Sequence, residues 1–502
     1  MKRIAWTVAG VVLIAGCAVG PDFKPPVAPV TDRYTAEPLA QAQAQTQTQD
    51  TAGVALQRFV DGRTIPEKWW SVFQSAPLDA MVRQALAANA DVEAARASLR
   101  IAQENVLAQQ GTFFPTVGAQ FTPTRQSVAT SLASPVASGG NLYSLHTAQL
   151  NIAYAPDVFG GNRRQLESLQ SLSDVQRFQL EAAQLTLTAN LVATVIQRAA
   201  VRAQIDATRE IVALADSQLT MVRRQQALGQ VGTADVAAQQ ALLAQLEATL
   251  PPLQKQQAQQ RNLLAVLLGR LPSDADIPEI GLDALQLPDE LPLSLPSQLV
   301  VQRPDVRAAE AQWHAANAQI GVALAARLPN FELTANIGTT ALRLSQLATA
   351  GTAFWGIGAN LVQPLFDAGT LMHRQRAAEA TQAQAAAQYR STVLGAFQNV
   401  ADTLNAIQAD AATLAAQSRA EQAAARSFDI ARAQRDAGAT GSFAVLVAQQ
   451  ALRQAAIARI QAQSARLADS VALFQALGGG WLQAVDARRN DAAAVSSNGQ
   501  GS

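Results

Sequence analysis

Chemistry in this chain is scarce, and it begins with its one cysteine, Cys17, in the stretch LIAGCAVGPDF. Lys2 and Arg3 give a positive start, Ile4 to Ile14 an apolar run, and Ala15 and Gly16 the small residues a signal peptidase requires. The pattern Leu13-Ile14-Ala15-Gly16-Cys17 is similar to the bacterial lipobox. Cys17 is therefore expected to become the mature N-terminus, with S-diacylglycerol on its sulfur and an acyl chain on its new amino group. The alternatives are an ordinary signal peptide or a short membrane anchor, but the apolar run falls short of the roughly 20 residues needed to span a bilayer. Several acyl chains hold a protein on a membrane where one binds only marginally. Ala18, not an aspartate, follows the cysteine, which favours an outer-membrane address over inner-membrane retention.

The remaining reactive types do not cluster. His146, His314 and His373 are scattered, with no cysteine or carboxylate at ligand spacing, and read as surface or packing histidines. No GxSxG, HExxH, Walker A or GxGxxG in a strand-to-helix setting occurs, so neither an enzyme nor a metal site is expected. Formal net charge is +0 with 15% charged residues, which leaves no electrostatic footprint for nucleic acid. With a single cysteine there is no disulfide framework, and no cofactor is expected beyond the acyl groups on Cys17.

The elements that would position anything are long Ala/Gln/Leu/Arg helices, expected near 77–110, 164–228, 233–268, 300–327, 370–436 and 442–477. A run of about 65 residues rising ~1.5 Å each makes a rod of about 100 Å, too long for one compact domain. Leu166, Leu169, Leu172, Val175 and Leu180 form an interrupted heptad-like stripe, so helices are expected to pack side by side. Pro251-Pro252 should kink or break the helix that holds them. Pro, Gln, Ala and Thr dominate 17–60, read as a lipidated tether after a signal peptide at 1–16, and 481–502 reads as a disordered tail.

The chain also repeats itself. NADVEAA, FFPTVGAQF, YAPDVFGG and ALGQVGTADVAAQQAL are followed in the same order by RPDVRAA, RLPNFELTA, VQPLFDAG and DAGATGSFAVLVAQQAL. Asp91 and Asp305, Val92 and Val306, and Pro115 and Pro329 each stand 214 apart, Pro156 and Pro364 stand 208 apart, and Leu268 and Leu477 stand 209 apart. Two structural repeats are expected, 61–271 and 301–480, joined by a Pro-rich linker at 272–300. Each repeat carries two strands, near 113–125 and 143–155 in the first and near 329–340 and 354–364 in the second.

Those strands alternate. Val117, Ala119 and Phe121 oppose Thr116, Gln120, Thr122 and Thr124; Leu150, Ile152 and Tyr154 oppose Gln149 and Asn151. Phe331, Leu333, Ala335 and Ile337 oppose Glu332, Thr334, Asn336 and Thr340, while Trp355, Ile357 and Leu361 oppose Gly356 and Asn360. Nothing in the sequence offers a cover for the apolar face, and loops rich in turn formers join each pair. Four strands in a membrane leave open edges, so closure has to come from several chains. Two chains give an eight-stranded barrel filled by side chains, whereas three give twelve strands and a lumen.

The stretches GCAVGPDFKPP, WWSVFQSAPLDAMVRQALAANADV, YAPDVFGGNRR, QRPDVRAAEA and LPPL…LLAVLLGRLP resemble the outer-membrane factor family of TolC-like channels, most of all its lipidated NodT/OprM-type branch. The resemblance covers nearly all of the mature chain. It implies a mainly α protein with a transmembrane β-barrel: a homotrimer in which four strands and long paired helices per protomer build a β-barrel continuous with an α-barrel. It implies a channel in the outer membrane, in contact with its lipids and reaching into the periplasm. Its expected role is the passive exit duct of a tripartite efflux pump for small molecules, coupled through a periplasmic adaptor to an inner-membrane transporter. A type I protein-secretion duct is the alternative use of the same architecture, and a lipid-anchored scaffold without a pore would explain the helices but not the strands.

Family resemblance also assigns the helix-tip turns RRQQALGQVGTADV and ARAQRDAGATGSFAV to adaptor docking, with Arg223, Arg224 and Arg435 as candidate contacts and Gly229, Gly232, Gly438 and Gly441 allowing the reversal. The arginines read equally well as solvated charges at helix C-termini. Many relatives place aspartates on the second tip helix at the periplasmic constriction; the matching positions here are Ala444 and Val447, which implies an apolar constriction. Asp235 holds the equivalent place in the first repeat, as a gate residue or as a helix cap.

Overall fold

A computed structural model describes residues 18–27, 31, 33–35, 57–63, 65–129, 131, 140–274 and 276–481. The expected signal peptide, Cys17, most of the expected tether and residues 482–502 lie outside the described residues. In chain order the elements are β1 (Arg58–Asp61), α1 (Ala76–Ala88), α2 (Ala90–Gly111), β2 (Thr116–Ser127), β3 (Leu142–Tyr154) and α3 (Gly161–Ala227). Then come α4 (Thr233–Glu247), α5 (Leu250–Leu267), β4 (Glu290–Leu293), α6 (Pro296–Gln302) and α7 (Pro304–Ala325). The chain finishes with β5 (Asn330–Ala341), β6 (Ala353–Val362), α8 (Thr370–Asp436) and α9 (Ser442–Ala476). Among the described residues no helix is long and apolar enough to cross a membrane, which says nothing of a β-barrel.

Both rods exist: α3 and α8 are 67 residues each. Three expected helices are split. The one expected over 77–110 breaks at Asn89, whose side-chain oxygen accepts from the amides of Asp91 (3.0 Å) and Val92 (3.3 Å) and so starts α2 afresh. The one expected over 300–327 breaks at Arg303, just before Pro304, because a residue preceding proline is pushed out of the helical region. The break does the same work in both repeats. Asn89 Nδ2 donates to the carbonyl of Leu267 at 3.2 Å, and Arg303 Nη1 donates to that of Ala476 at 2.8 Å. Different side chains therefore satisfy the same helix-end carbonyl in each half. Between α4 and α5 the helix breaks ahead of Pro251-Pro252, which then occupy the first turn of α5, where a missing amide costs nothing.

The chain divides into two compact units. One, formed by 1–26, 98–177 and 308–390, contains the antiparallel sheet, in the order β2-β3-β5-β6. Pairing matches Val117 with Ile152, Ile152 with Ala335, and Ala335 with Ile357, so one apolar row crosses all four strands. In this unit residues 18–26 of the expected tether are docked. The Val19 amide donates to the Phe159 carbonyl at 3.0 Å, Asn317 donates to the Pro21 carbonyl at 2.8 Å, and Phe23 stacks on His314 at 4.4 Å. His314 in turn lies 2.8 Å from Glu167.

The other unit, 27–97, 178–307 and 391–502, is helical with a two-stranded parallel sheet, β1 beside β4. The tether thus also ends in a strand, and the Pro-rich linker contributes another. Trp69, Phe73, Leu191, Leu264, Leu404 and Phe474 are fully buried there. Trp481, assigned from sequence to the tail, is buried too, stacked edge-on against Phe178 at 5.7 Å.

Candidate functional site

Two surfaces carry the functional argument, and the first is the sheet. Its apolar row is bare: Val117 is 67% exposed, Trp355 75% and Ile357 80%, with Phe121, Leu150, Leu333, Ile337 and Leu361 also exposed. The opposite face is a polar lattice. Gln120 Oε1 accepts from Gln149 (3.4 Å) and Asn151 (3.3 Å), and the hydroxyls of Thr147 and Thr340 meet at 3.1 Å. A sheet apolar towards one solvent and polar towards the other fits lipid outside and water inside.

Among the described residues both edges are open. Val128 donates to the Asn141 carbonyl, so even-numbered residues of β2 bond inward and odd-numbered ones turn their amides and carbonyls to the free edge. Thr340 donates to the Thr352 carbonyl, so the odd-numbered residues of β6 likewise face outward. Pro123 falls in the outward set on β2, where the missing amide breaks no bond within the sheet.

The second surface is the pair of helix tips. At the end of α3 the Gln230 amide donates to Gln225 and that of Gly229 to Gln226, both at 2.9 Å, with Gly229 left-handed at φ 74°. At the end of α8 the Ala439 amide donates to Gln434 (2.8 Å) and that of Gly438 to Arg435 (2.9 Å), with φ 72° at Gly438. This is one capping motif used twice, and at both sites it needs the residue without a Cβ. Gly232 and Gly441 are the N-caps of α4 and α9.

Here the repeats diverge. Asp235 Oδ2 accepts from the Gly232 amide at 2.8 Å, which gives Asp235 the capping place foreseen as one of its two readings. Ala444, 209 positions later, has no side chain to do so, and only its amide reaches back, to the Gly441 carbonyl at 3.2 Å. Ala444 is half-buried, Val445 is buried, and Val447 is 48% exposed. Phe443, four residues before Val447 and 56% exposed, shares its side of α9. Sequence reasoning passed over this phenylalanine, although its i, i+4 spacing to Val447 was readable. Arg435 is held by its neighbour Asp436 at 2.7 Å, while Arg223 and Arg224 are exposed with no ion-pair partner among the described residues.

The family model described as "Outer membrane efflux protein" matches residues 81–270 and 295–479. The pyoverdine export outer membrane protein OpmQ of Pseudomonas aeruginosa is 32% identical over 421 residues, covering 82% of this chain and 87% of that protein. The toluene efflux pump outer membrane protein TtgF of Pseudomonas putida is 30% identical over 495 residues, 96% of this chain and 98% of its own length. Among solved structures, the outer-membrane channel OprN superposes with a TM-score of 0.79 at 27% identity, covering 93% of this chain and 100% of that one. The mainly α fold with four strands and two repeats is the protomer fold of these trimeric channels. By sequence, fold and the two-faced sheet, the chain belongs to the outer membrane efflux protein family and is an outer-membrane efflux channel.

Proposed function

We propose that the protein is the exit duct of a tripartite efflux pump: a homotrimer that passively conducts small molecules received through a periplasmic adaptor from an inner-membrane transporter. That transporter supplies the energy and chooses the cargo. Acylation of Cys17 anchors each chain at the membrane the strands cross. The observation that supports this most is the open sheet. Unpaired edge amides and carbonyls are costly in hydrocarbon, and copies of the same chain relieve that cost by joining β6 of one to β2 of the next. Because β2 and β6 run in opposite directions, the new contact is antiparallel like the three inside the chain. Three copies give twelve strands, with the Gln120, Gln149 and Asn151 lattice facing a lumen. At the periplasmic end the constriction is apolar, made by Val447 and its neighbour Phe443, and it closes by dewetting. Arg223, Arg224 and Arg435 with the tip glycines form the adaptor's landing surface.

Mass in detergent and single-channel conductance in planar bilayers test this, wild type beside Val447→Asp. The expected result is a trimer with small, mostly closed currents, and larger, cation-blocked currents in the variant. A monomer without current, from protein whose helical circular dichroism is intact, overturns the duct.

A further inference from the structure

The sheet carries little charge, and what it carries is unbalanced. Across 113–156 and 333–366, which span the loops and all the strands apart from the start of β5, Arg125 and Arg343 are the only Asp, Glu, Lys or Arg. Both are exposed. Neither has an ion-pair partner among the described residues, and the loops between the strands hold no carboxylate that could supply one. A second copy joined edge to edge brings the same strands, and so no counter-charge either. Glu332, the one acid of the strands, lies at the far end of β5 and pairs with Asn360 on the polar face.

Register places the two arginines. Pro123, His146 and Ala341 form one row across β2, β3 and β5. Arg125 stands two residues beyond that row, opposite Ser144, and the period of two puts it on the face of Val117 and Phe121, the lipid side. Arg343 stands two residues beyond Ala341, with extended backbone at φ −130° and ψ 143°. Because β2 and β5 flank β3, the arginines rise from the sheet two strand spacings apart, about 10 Å. The long helices leave from the opposite strand ends and reach into the periplasm, so both arginines belong to the outward end. From Phe331 to Ala341 β5 runs about 33 Å, roughly 25 Å of height at a tilt of about 40°, which is the whole apolar band of an outer-membrane barrel. Arg343 therefore follows at the outer rim of the band, and Arg125 reaches that rim by extending its apolar stem along the sheet.

We propose that Arg125 and Arg343 hold the phosphate of a lipid headgroup in the outer leaflet, one site on each protomer. Two cations without a counter-ion in the chain stand where apolar surface gives way to headgroups, and the anion that matches them is the one the membrane itself presents. Each guanidinium can fork onto two phosphate oxygens, which an ammonium cannot do. The Ser144 hydroxyl, on the strand between them and on the same face as Arg125, is a neutral donor to the same group. Lipid rather than cargo is the source, because Arg125 points away from the Gln120, Gln149 and Asn151 lattice. The site rests on the sheet lying in the outer membrane and is independent of what the pump carries.

Native mass spectrometry of the full-length protein released from detergent, titrated with lipid A or with dephosphorylated lipid A, tests the site without any pore. Wild type is expected to hold lipid A at least about tenfold more tightly than the dephosphorylated form. Arg125→Gln and Arg343→Gln should each weaken lipid A several-fold, and the two together should abolish the preference. Arg125→Lys with Arg343→Lys should keep part of it, since the charge stays and the fork is lost. Inorganic phosphate in millimolar excess should leave the bound lipid in place. Equal binding of the two lipids by wild type overturns the site, as does an unchanged preference in the double glutamine variant. Displacement by inorganic phosphate marks a plain anion site and overturns the lipid as its occupant. Should the glutamine pair fail to fold, the lysine pair decides, and an undiminished preference there overturns the site. A conducting trimer without the preference rejects the site alone, and the preference in a protein without current rejects the duct alone.

Discussion

Arg164 illustrates what a single residue can hide in a chain of this kind. In sequence it is one more arginine in the first turn of a long helix. In the structure its side chain is 7% exposed, and it donates to the carbonyls of Val19 (3.1 Å) and Gly20 (3.2 Å) and to the carboxylates of Asp22 (2.7 Å) and Glu167 (2.8 Å). One guanidinium thus pins the segment that sequence composition assigned to a loose tether. Nothing local announces this, because the partners lie about 140 positions away and prolines mask the docking as disorder. Arg164→Ala leaves two backbone carbonyls without their donor, a loss of about 2–4 kcal/mol for the docked segment. Little of that comes from Asp22, which is 88% exposed and screened by water. Chymotryptic cleavage at Phe23 should speed up at least tenfold in the variant. Arg164→Lys should recover only part of the protection, since an ammonium cannot fork to several acceptors. An unchanged cleavage rate would show the segment to be held by Phe23 and Asn317 alone.

At the scale of elements, length was legible and interruption was not. The 67-residue rods follow from uninterrupted Ala, Gln and Leu without proline, and the tip turns follow from paired glycines. The break at Asn89 sits in an Ala-rich run whose residues all tolerate a helix, so only the tertiary partner, the Leu267 carbonyl, decides against continuity. The repeat could have exposed it, since Arg303 stands 214 positions on and immediately before a proline. Asn89→Ala removes the cap of α2 and leaves the Leu267 carbonyl without its side-chain donor, together costing about 1–3 kcal/mol. Thermal unfolding followed by helical circular dichroism should show a lower midpoint, whereas Asn89→Asp should keep the cap and lose only the donor. Equal midpoints for the two variants would mean that the cap contributes nothing. Of the candidate gate, Val447 and Ala444 came from matching positions to relatives, whereas Phe443 emerged only once exposure along α9 was known.

For the whole molecule, the alternating strands were readable because a two-faced sheet leaves a period of two in any sequence. The joint between chains was not, since it is written in no single strand. The repeat supplies it. Inside the chain Val117 faces Ile152 and Phe331 faces Leu361, so β5 corresponds to β2 shifted by 214 and β6 to β3 shifted by 209. Across the two repeats Ile152 faces Ala335. Carrying that pair forward by the same shifts places Leu361 of one protomer opposite Phe121 of the next. Both are odd-numbered, both turn their amides and carbonyls to the open edges, and both lie on the apolar face, so the pairing satisfies the ladder and the lipid side together. A slip by one residue would set outward amides against inward ones and is excluded by the hydrogen-bond pattern. A slip by two keeps the parity and is the real competitor, placing Leu361 opposite Ala119. Leu361→Cys with Phe121→Cys should therefore oxidise to covalent dimers and trimers several-fold more completely than Leu361→Cys with Ala119→Cys. The reverse preference would mean that the joint between chains departs from the joint within them, and that the two repeats are not equivalent around the barrel.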